Sequence, residues 1–197
     1  MANFIVVGLG NKGEEYDVTR HNVGFIILDK FQKEFHFGDW VESAKYKGQV
    51  SEGVIDGEKV ILLKPLTMMN ASGKAVETVI KSKKALKNLI VVHDDLDLAL
   101  GTFKIVYNRG YGGHKGVKSI QKSFGTNEFV RIKVGISPVS ASGKVRKPKG
   151  DKKVLDFIIG DFRKPELEKL KKVSKDIVGA IESVILNGHY LAMTDWN

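Results

Sequence analysis

The sequence predicts an α/β protein, a three-layer α/β/α sandwich around a mixed, mostly parallel central sheet. Three observations predict it. Short β-branched apolar runs without polar alternation, Phe4-Ile5-Val6-Val7 and Leu89-Ile90-Val91-Val92, read as strands buried on both faces. Between such runs lie segments whose apolar residues recur at three- and four-residue spacing, which is one face of a helix. Asp56-Gly57 between two alternating runs is a hairpin signal, which adds antiparallel pairing to the parallel core.

In chain order, Asn3 to Gly8 reads as the first buried strand. Asn22 to about Phe35 reads as a helix on Val23, Ile26, Ile27, Phe31 and Phe35, with Asn22 or Thr19 as its cap. Lys45 to Ile55 and Lys59 to Lys64 form the hairpin, and Pro65 ends its second strand. A loop over residues 66–70 leads to a helix at about Ser72 to Lys83. Leu89 to His93 is a buried strand that ends in His93-Asp94-Asp95-Leu96-Asp97. Thr102 to Val106 reads as a short strand, and a glycine-rich loop, Arg109 to Gly116, opens a helix to about Phe124. Phe129 to Ile136 alternates as a strand. Ser137 to Lys153 is polar, basic and contains two prolines, so it reads as a surface loop, and Val154 to Ile159 as a last short strand. Pro165 to Leu186 is the clearest helix, with Pro165 near its start and Asn187-Gly188 stopping it.

At 197 residues the expectation is one domain, residues 1–197, with room for a sizeable core. No apolar run approaches the roughly 18 residues of a membrane span. The start, Met1-Ala2-Asn3-Phe4, lacks the basic and apolar regions of a signal peptide. Cysteine is absent, which removes disulfides, thiol nucleophiles and cysteine metal sites and fits a cytoplasmic protein. The net charge of +9 suits an acidic partner, nucleic acid foremost, and equally a merely lysine-rich surface. Aromatic residues form no run suited to stacking on bases, so charge points to phosphate contacts.

Four constellations bear on chemistry. Gly8-x-Gly10-x-x-Gly13 matches a dinucleotide fingerprint in letters only. Its helix pattern starts about nine residues late and the ribose acid is misplaced, so the glycines read as a tight turn that leaves Asn11 accessible. Asp94, Asp95 and Asp97 suit either Mg²⁺ or one inward carboxylate that fixes an imidazole tautomer. His21 precedes a helix, whose dipole favours the neutral base, and shares its loop with Asn11. With no Gly-x-Ser-x-Gly motif, a hydrolase would use base-activated water. Gly110 to Gly116 is either a backbone phosphate or carbonyl site or a flexible loop.

These stretches together resemble the bacterial peptidyl-tRNA hydrolase family over nearly the whole chain. The pieces are Val7-Gly8-Leu9-Gly10-Asn11, Thr19-Arg20-His21-Asn22, Met68-Met69-Asn70 with Ser72-Gly73, His93-Asp94-Asp95-Leu96-Asp97, Gly112-Gly113-His114-x-Gly116 and Val134-Gly135-Ile136. The resemblance implies an esterase without metal or cofactor that frees tRNA from stray peptidyl-tRNA, usually as a monomer. It implies His21 as general base, Asp94 as its orienting carboxylate, Asn11 on the peptide side and Asn70 at the water or oxyanion. Tyr16 and Met68 would line the cleft for the tRNA end. Lys115 stands where the family has asparagine, and Lys133 where it often has arginine; both are expected to meet tRNA phosphates, and Val106 replaces a frequent basic residue. The alternative is a catalytically weak RNA-binding protein of the same fold.

Overall fold

The computed structural model describes residues 3–197. Among these residues seven strands form one sheet: β1 (Phe4–Gly8), β2 (Val41–Ser43), β3 (Gly48–Ile55), β4 (Glu58–Pro65), β5 (Leu89–Ala99), β6 (Phe103–Tyr107) and β7 (Val130–Ser137), in the order β2-β3-β4-β1-β5-β7-β6. The four central strands, β4, β1, β5 and β7, run parallel. β2 and β3 extend one edge and β6 the other by antiparallel pairing.

Alternation along the buried runs builds two cores. Val6 of β1 and Ile90 and Val92 of β5 face one way, onto α1 (Val23–Glu34) and α5 (Lys164–Asn187). Ile5, Val7, Leu89 and Val91 face the other, onto α2 (Ser72–Val79) and α3 (Lys115–Phe124). Strands buried on both faces need no polar residue, which is why their sequences are unbroken apolar runs. A short helix α6 (His189–Trp196) follows α5 after Gly188 and covers β6, where the Asn197 amide pairs with both backbone groups of Ile105, at 2.7 and 3.0 Å.

Several expectations change. Val154 to Ile159 is not a strand: Asp151–Ile158 is helical, α4, and none of its residues is buried. The surface loop before it carries a lone bridge, Val139 to Val145. β5 does not stop at His93 but runs on to Ala99, so the aspartates lie on the strand and not after it. Asn22 and Thr19 make no side-chain cap to α1. The Gly8 and Gly10 backbones are not in a left-handed turn; only Gly13 of the three has positive φ. Gly8 and Gly10 serve close packing instead: a Cβ on Gly8 would lie 2.4 Å from the Gly24 carbonyl oxygen, and one on Gly10 2.8 Å from the Phe25 ring. This approach brings the start of α1 onto the ends of β1 and β5.

Candidate active site

His21 sits on the 3-10 turn Arg20–Asn22 that enters α1, and the whole turn is buried. Its Nδ1 lies 2.8 Å from Oδ1 of Asp94 on β5. An ionised carboxylate can only accept, so Nδ1 carries the proton and Nε2 is left with the lone pair. Burial pushes the His21 imidazole toward lower pKa, but the Asp94 charge and hydrogen bond outweigh it. The result lies above the ordinary 6.5, with Lys115 opposing. The helix-dipole expectation of a lowered pKa is therefore overturned: the carboxylate, in direct contact, dominates the partial charges of the turn. For Asp94 itself, burial disfavours ionisation, and the neighbouring His21 and His114 nonetheless hold it well below the usual carboxylate range.

A second imidazole shares the same oxygen. His114 Nε2 lies 2.9 Å from Asp94 Oδ1, and the rings of His21 and His114 are 5.0 Å apart. His114 Nδ1 accepts from the Gly116 and Val117 amides, at 3.1 and 3.3 Å, and so caps α3. The first amides of α3 are thus taken by a side chain, so the glycine-rich stretch is not an open phosphate cradle at that point. Its other end is tied down as well: the buried Arg131 guanidinium donates to the carbonyls of Arg109 and Gly110, at 3.0 and 2.9 Å.

Asn11 is fixed by its neighbour in space, not by its own side chain. The Asn22 amide accepts from Asn11 N at 2.8 Å and donates to Asn11 O at 3.0 Å. The Asn11 side chain makes no hydrogen bond among the described residues, which leaves its amide available to a ligand. Asn70 lies exposed on the 3-10 turn Met69–Ala71. Met69 on that turn packs close to Gly116 at the start of α3, where a Cβ would lie 2.6 Å from its sulfur. Neither amide hydrogen-bonds to His21 among the described residues; both stand on segments locked to its immediate surroundings. Met68 is 77% exposed, Tyr16 is half-buried at the end of the turn Glu14–Tyr16, and Lys115 is exposed at the first position of α3.

The three aspartates have parted company. Asp95 pairs with Lys133 at 2.6 Å, which engages the lysine expected to meet phosphate, and the exposed Asp97 pairs with Lys147. The Mg²⁺ arrangement of Asp94, Asp95 and Asp97 is not formed. Donor atoms of His21, Asp94 and His114 do lie within 4.8 Å of one another. Their hydrogen bonds set the two histidines apart. His114 Nδ1 receives two amides, so its Nε2 bears the proton given to Asp94 and has no lone pair for a metal.

Sequence reasoning gave no role to His114 or Arg20. Arg20 donates to Gly160 O at 3.0 Å and Phe157 O at 3.4 Å and pairs with Glu166 at 2.8 Å, joining the turn beside His21 to α4 and α5. The Gly-Gly-His triplet was visible in the sequence, but nothing in it says that the ring reaches back twenty residues to Asp94. A cavity of about 500 Å³ beside Asn11, lined among others by Glu14, Asn22, Phe25 and Lys64, includes neither His21 nor Asp94.

Fold and site together define an α/β protein with a histidine backed by a buried carboxylate at the ends of parallel strands. The family model for peptidyl-tRNA hydrolase matches residues 5–197. Peptidyl-tRNA hydrolases of Carboxydothermus hydrogenoformans and Clostridium novyi are 41% and 40% identical to the chain. Each comparison covers 98% of this chain, and 98% and 97% of those proteins respectively. The crystal structure of peptidyl-tRNA hydrolase from Acinetobacter baumannii superposes with a TM-score of 0.87 at 27% identity, over 100% of this chain and 96% of that one. The chain belongs to the peptidyl-tRNA hydrolase family, enzymes that hydrolyse the ester bond of peptidyl-tRNA. No helix among the described residues is long and apolar enough to cross a membrane.

Proposed function

We propose that His21 is the general base of a water-mediated ester hydrolysis that needs no metal or cofactor. The observation that carries this reading is the buried 2.8 Å contact between His21 Nδ1 and Asp94 Oδ1, which leaves Nε2 as the basic atom. In this mechanism Nε2 takes a proton from water as the oxygen attacks the carbonyl joining the peptide to the tRNA 3′ ribose. The imidazolium formed is stabilised by Asp94. Collapse of the tetrahedral intermediate breaks the bond to the ribose oxygen, which takes the proton back from Nε2. The products are the peptide acid, which ionises, and free tRNA.

Asn70 assists the water or the developing oxyanion, and Asn11, its side chain unengaged, reads the peptide side of the ester. Tyr16 and Met68 line the approach of the tRNA end, and Lys115 supplies a cation at the mouth. Lys133 contributes to phosphate binding only by sharing its ammonium with Asp95. In this reading residues 1–197 act as one domain, as a monomer in the cytoplasm.

The test is a blocked aminoacyl-tRNA incubated with wild type and His21→Ala, with and without EDTA. The expected result is release by wild type unaffected by EDTA, and no release but retained tRNA binding by His21→Ala. Normal cleavage by the variant overturns the assignment of the base, and loss of wild-type activity in EDTA overturns the metal-free step.

A further inference from the structure

Two histidines converge on one oxygen of Asp94, but only one of them is free to change its proton. His114 is held at both nitrogens: Nδ1 accepts two amides at the start of α3, and Nε2–H donates to Asp94 Oδ1. Moving the proton to Nδ1 would set it against two N–H groups, and protonating both nitrogens would lose the same two bonds. We propose that His114 is a positioning residue, a neutral imidazole with a locked tautomer that limits how strongly Asp94 grips His21. The proposal rests on His21 being the general base.

The physical effect is competition for a single acceptor. An Asp94 oxygen bonded only to His21 would concentrate its charge on that imidazole and favour its protonated, inactive form. A permanent second donor draws part of that charge away while keeping the carboxylate in place. The other groups facing this cluster are few. His93, beside Asp94 on β5, has its ring 4.8 Å from that of His114 and gives its Nδ1–H to the Asp94 carbonyl. Burial above all pushes the His93 imidazole well below 6.5, so it adds no charge there near neutral pH. Lys115, next along α3, disfavours protonated His21 from the same side.

Two substitutions separate capping from donation, because the two nitrogens of histidine have different isosteres. In His114→Asn the amide oxygen occupies the Nδ1 position, so the cap of α3 is kept and the donor to Asp94 is lost. In His114→Gln the amide nitrogen occupies the Nε2 position, so the donor is kept and the cap is lost. The measurement is kcat/KM against pH for both variants with a blocked aminoacyl-tRNA, alongside Tm.

For His114→Asn the acid limb moves to higher pH, and the ratio of kcat/KM at pH 6 to that at pH 8 falls about threefold relative to wild type, with Tm nearly unchanged. For His114→Gln the limb stays at the wild-type pH while Tm falls. The reverse pattern, a wild-type limb in His114→Asn, shows a helix cap and nothing more, and overturns the proposal. In wild type, ring ¹⁵N shifts of His114 give a second reading that needs no variant to fold: Nε2 protonated and Nδ1 bare from pH 6 to 8. A proton on Nδ1 anywhere in that range refutes the lock. Failure of the base assignment is distinct from either result, since it appears as turnover in His21→Ala.

Discussion

Asp94→Asn removes one charge and leaves the shape. In the proposed mechanism the imidazolium formed during attack by water sits 2.8 Å from a carboxylate oxygen, with both side chains less than 10% exposed. Two unit charges about 4 Å apart at an effective dielectric of about 20 attract by about 4 kcal/mol. At about 1.4 kcal/mol per decade, losing that attraction in the transition state slows kcat about 10³-fold. The ground state responds too. Burial alone depresses the His21 pKa, and Asp94 is what raises it above 6.5. Without the charge the imidazole stays neutral further into acid, so the acid limb of kcat/KM falls from above pH 6.5 to below it. The assay is hydrolysis of a blocked aminoacyl-tRNA from pH 5 to 9, with Tm measured to confirm the fold. A loss under tenfold, or a limb that stays above 6.5, would refute the view that Asp94 sets the charge state of His21.

Removing Arg20 takes the cation from a half-buried carboxylate. Arg20→Ala leaves Glu166 only the Arg163 amide, and removes the donors to Phe157 O and Gly160 O; this costs about 3 kcal/mol, a Tm decrease of about 6–12 °C read by calorimetry. In Gly24→Ala the new Cβ would lie 2.4 to 2.6 Å from Leu9 N, Leu9 O and Val92 O. These are backbone atoms that cannot turn aside, so we expect at least about 2 kcal/mol of destabilisation together with reduced kcat as the His21 turn lifts from Asp94. Binding of tRNA should weaken steeply between 50 and 200 mM salt, since phosphate contacts by a protein of net charge +9 release counterions; a flat titration removes the basic surface from recognition.

How much of this was legible in the sequence follows from what kind of signal each element leaves. β1, the first half of β5 and α5 announce themselves because their burial is continuous or periodic. The Asp56-Gly57 turn does so because Asp56 and Gly57 both take positive φ. α4 buries no residue, and its apolar Leu155 and the following Ile159 are exposed. Only Phe157 and Ile158, adjacent in sequence and half-buried, pack against the core, so the apolar residues of Val154 to Ile159 cluster as they would in a short strand. β5 extends past its apolar run: its second half, from Asp94, turns polar and from Asp95 on is at most partly buried. His21 and Asp94 could be singled out one by one. Their contact spans 73 residues, and the third member, His114, enters through a loop whose path only the fold determines. Asn22 looked like a cap in the sequence, and it commits its amide instead to Asn11, a choice set by the close approach of Gly8 and Gly24.

The pairing of Asn197 with Ile105 has a consequence for the company this protein keeps. β6 is the last strand of the sheet, and its outward backbone groups are a template for any stray chain in extended form. One carboxamide, bonded to both groups of a single residue, occupies that template as a strand would, but cannot itself be extended by another. Asn197→Ala reopens the rim, and concentrated samples of that variant should self-associate while dilute ones keep their turnover.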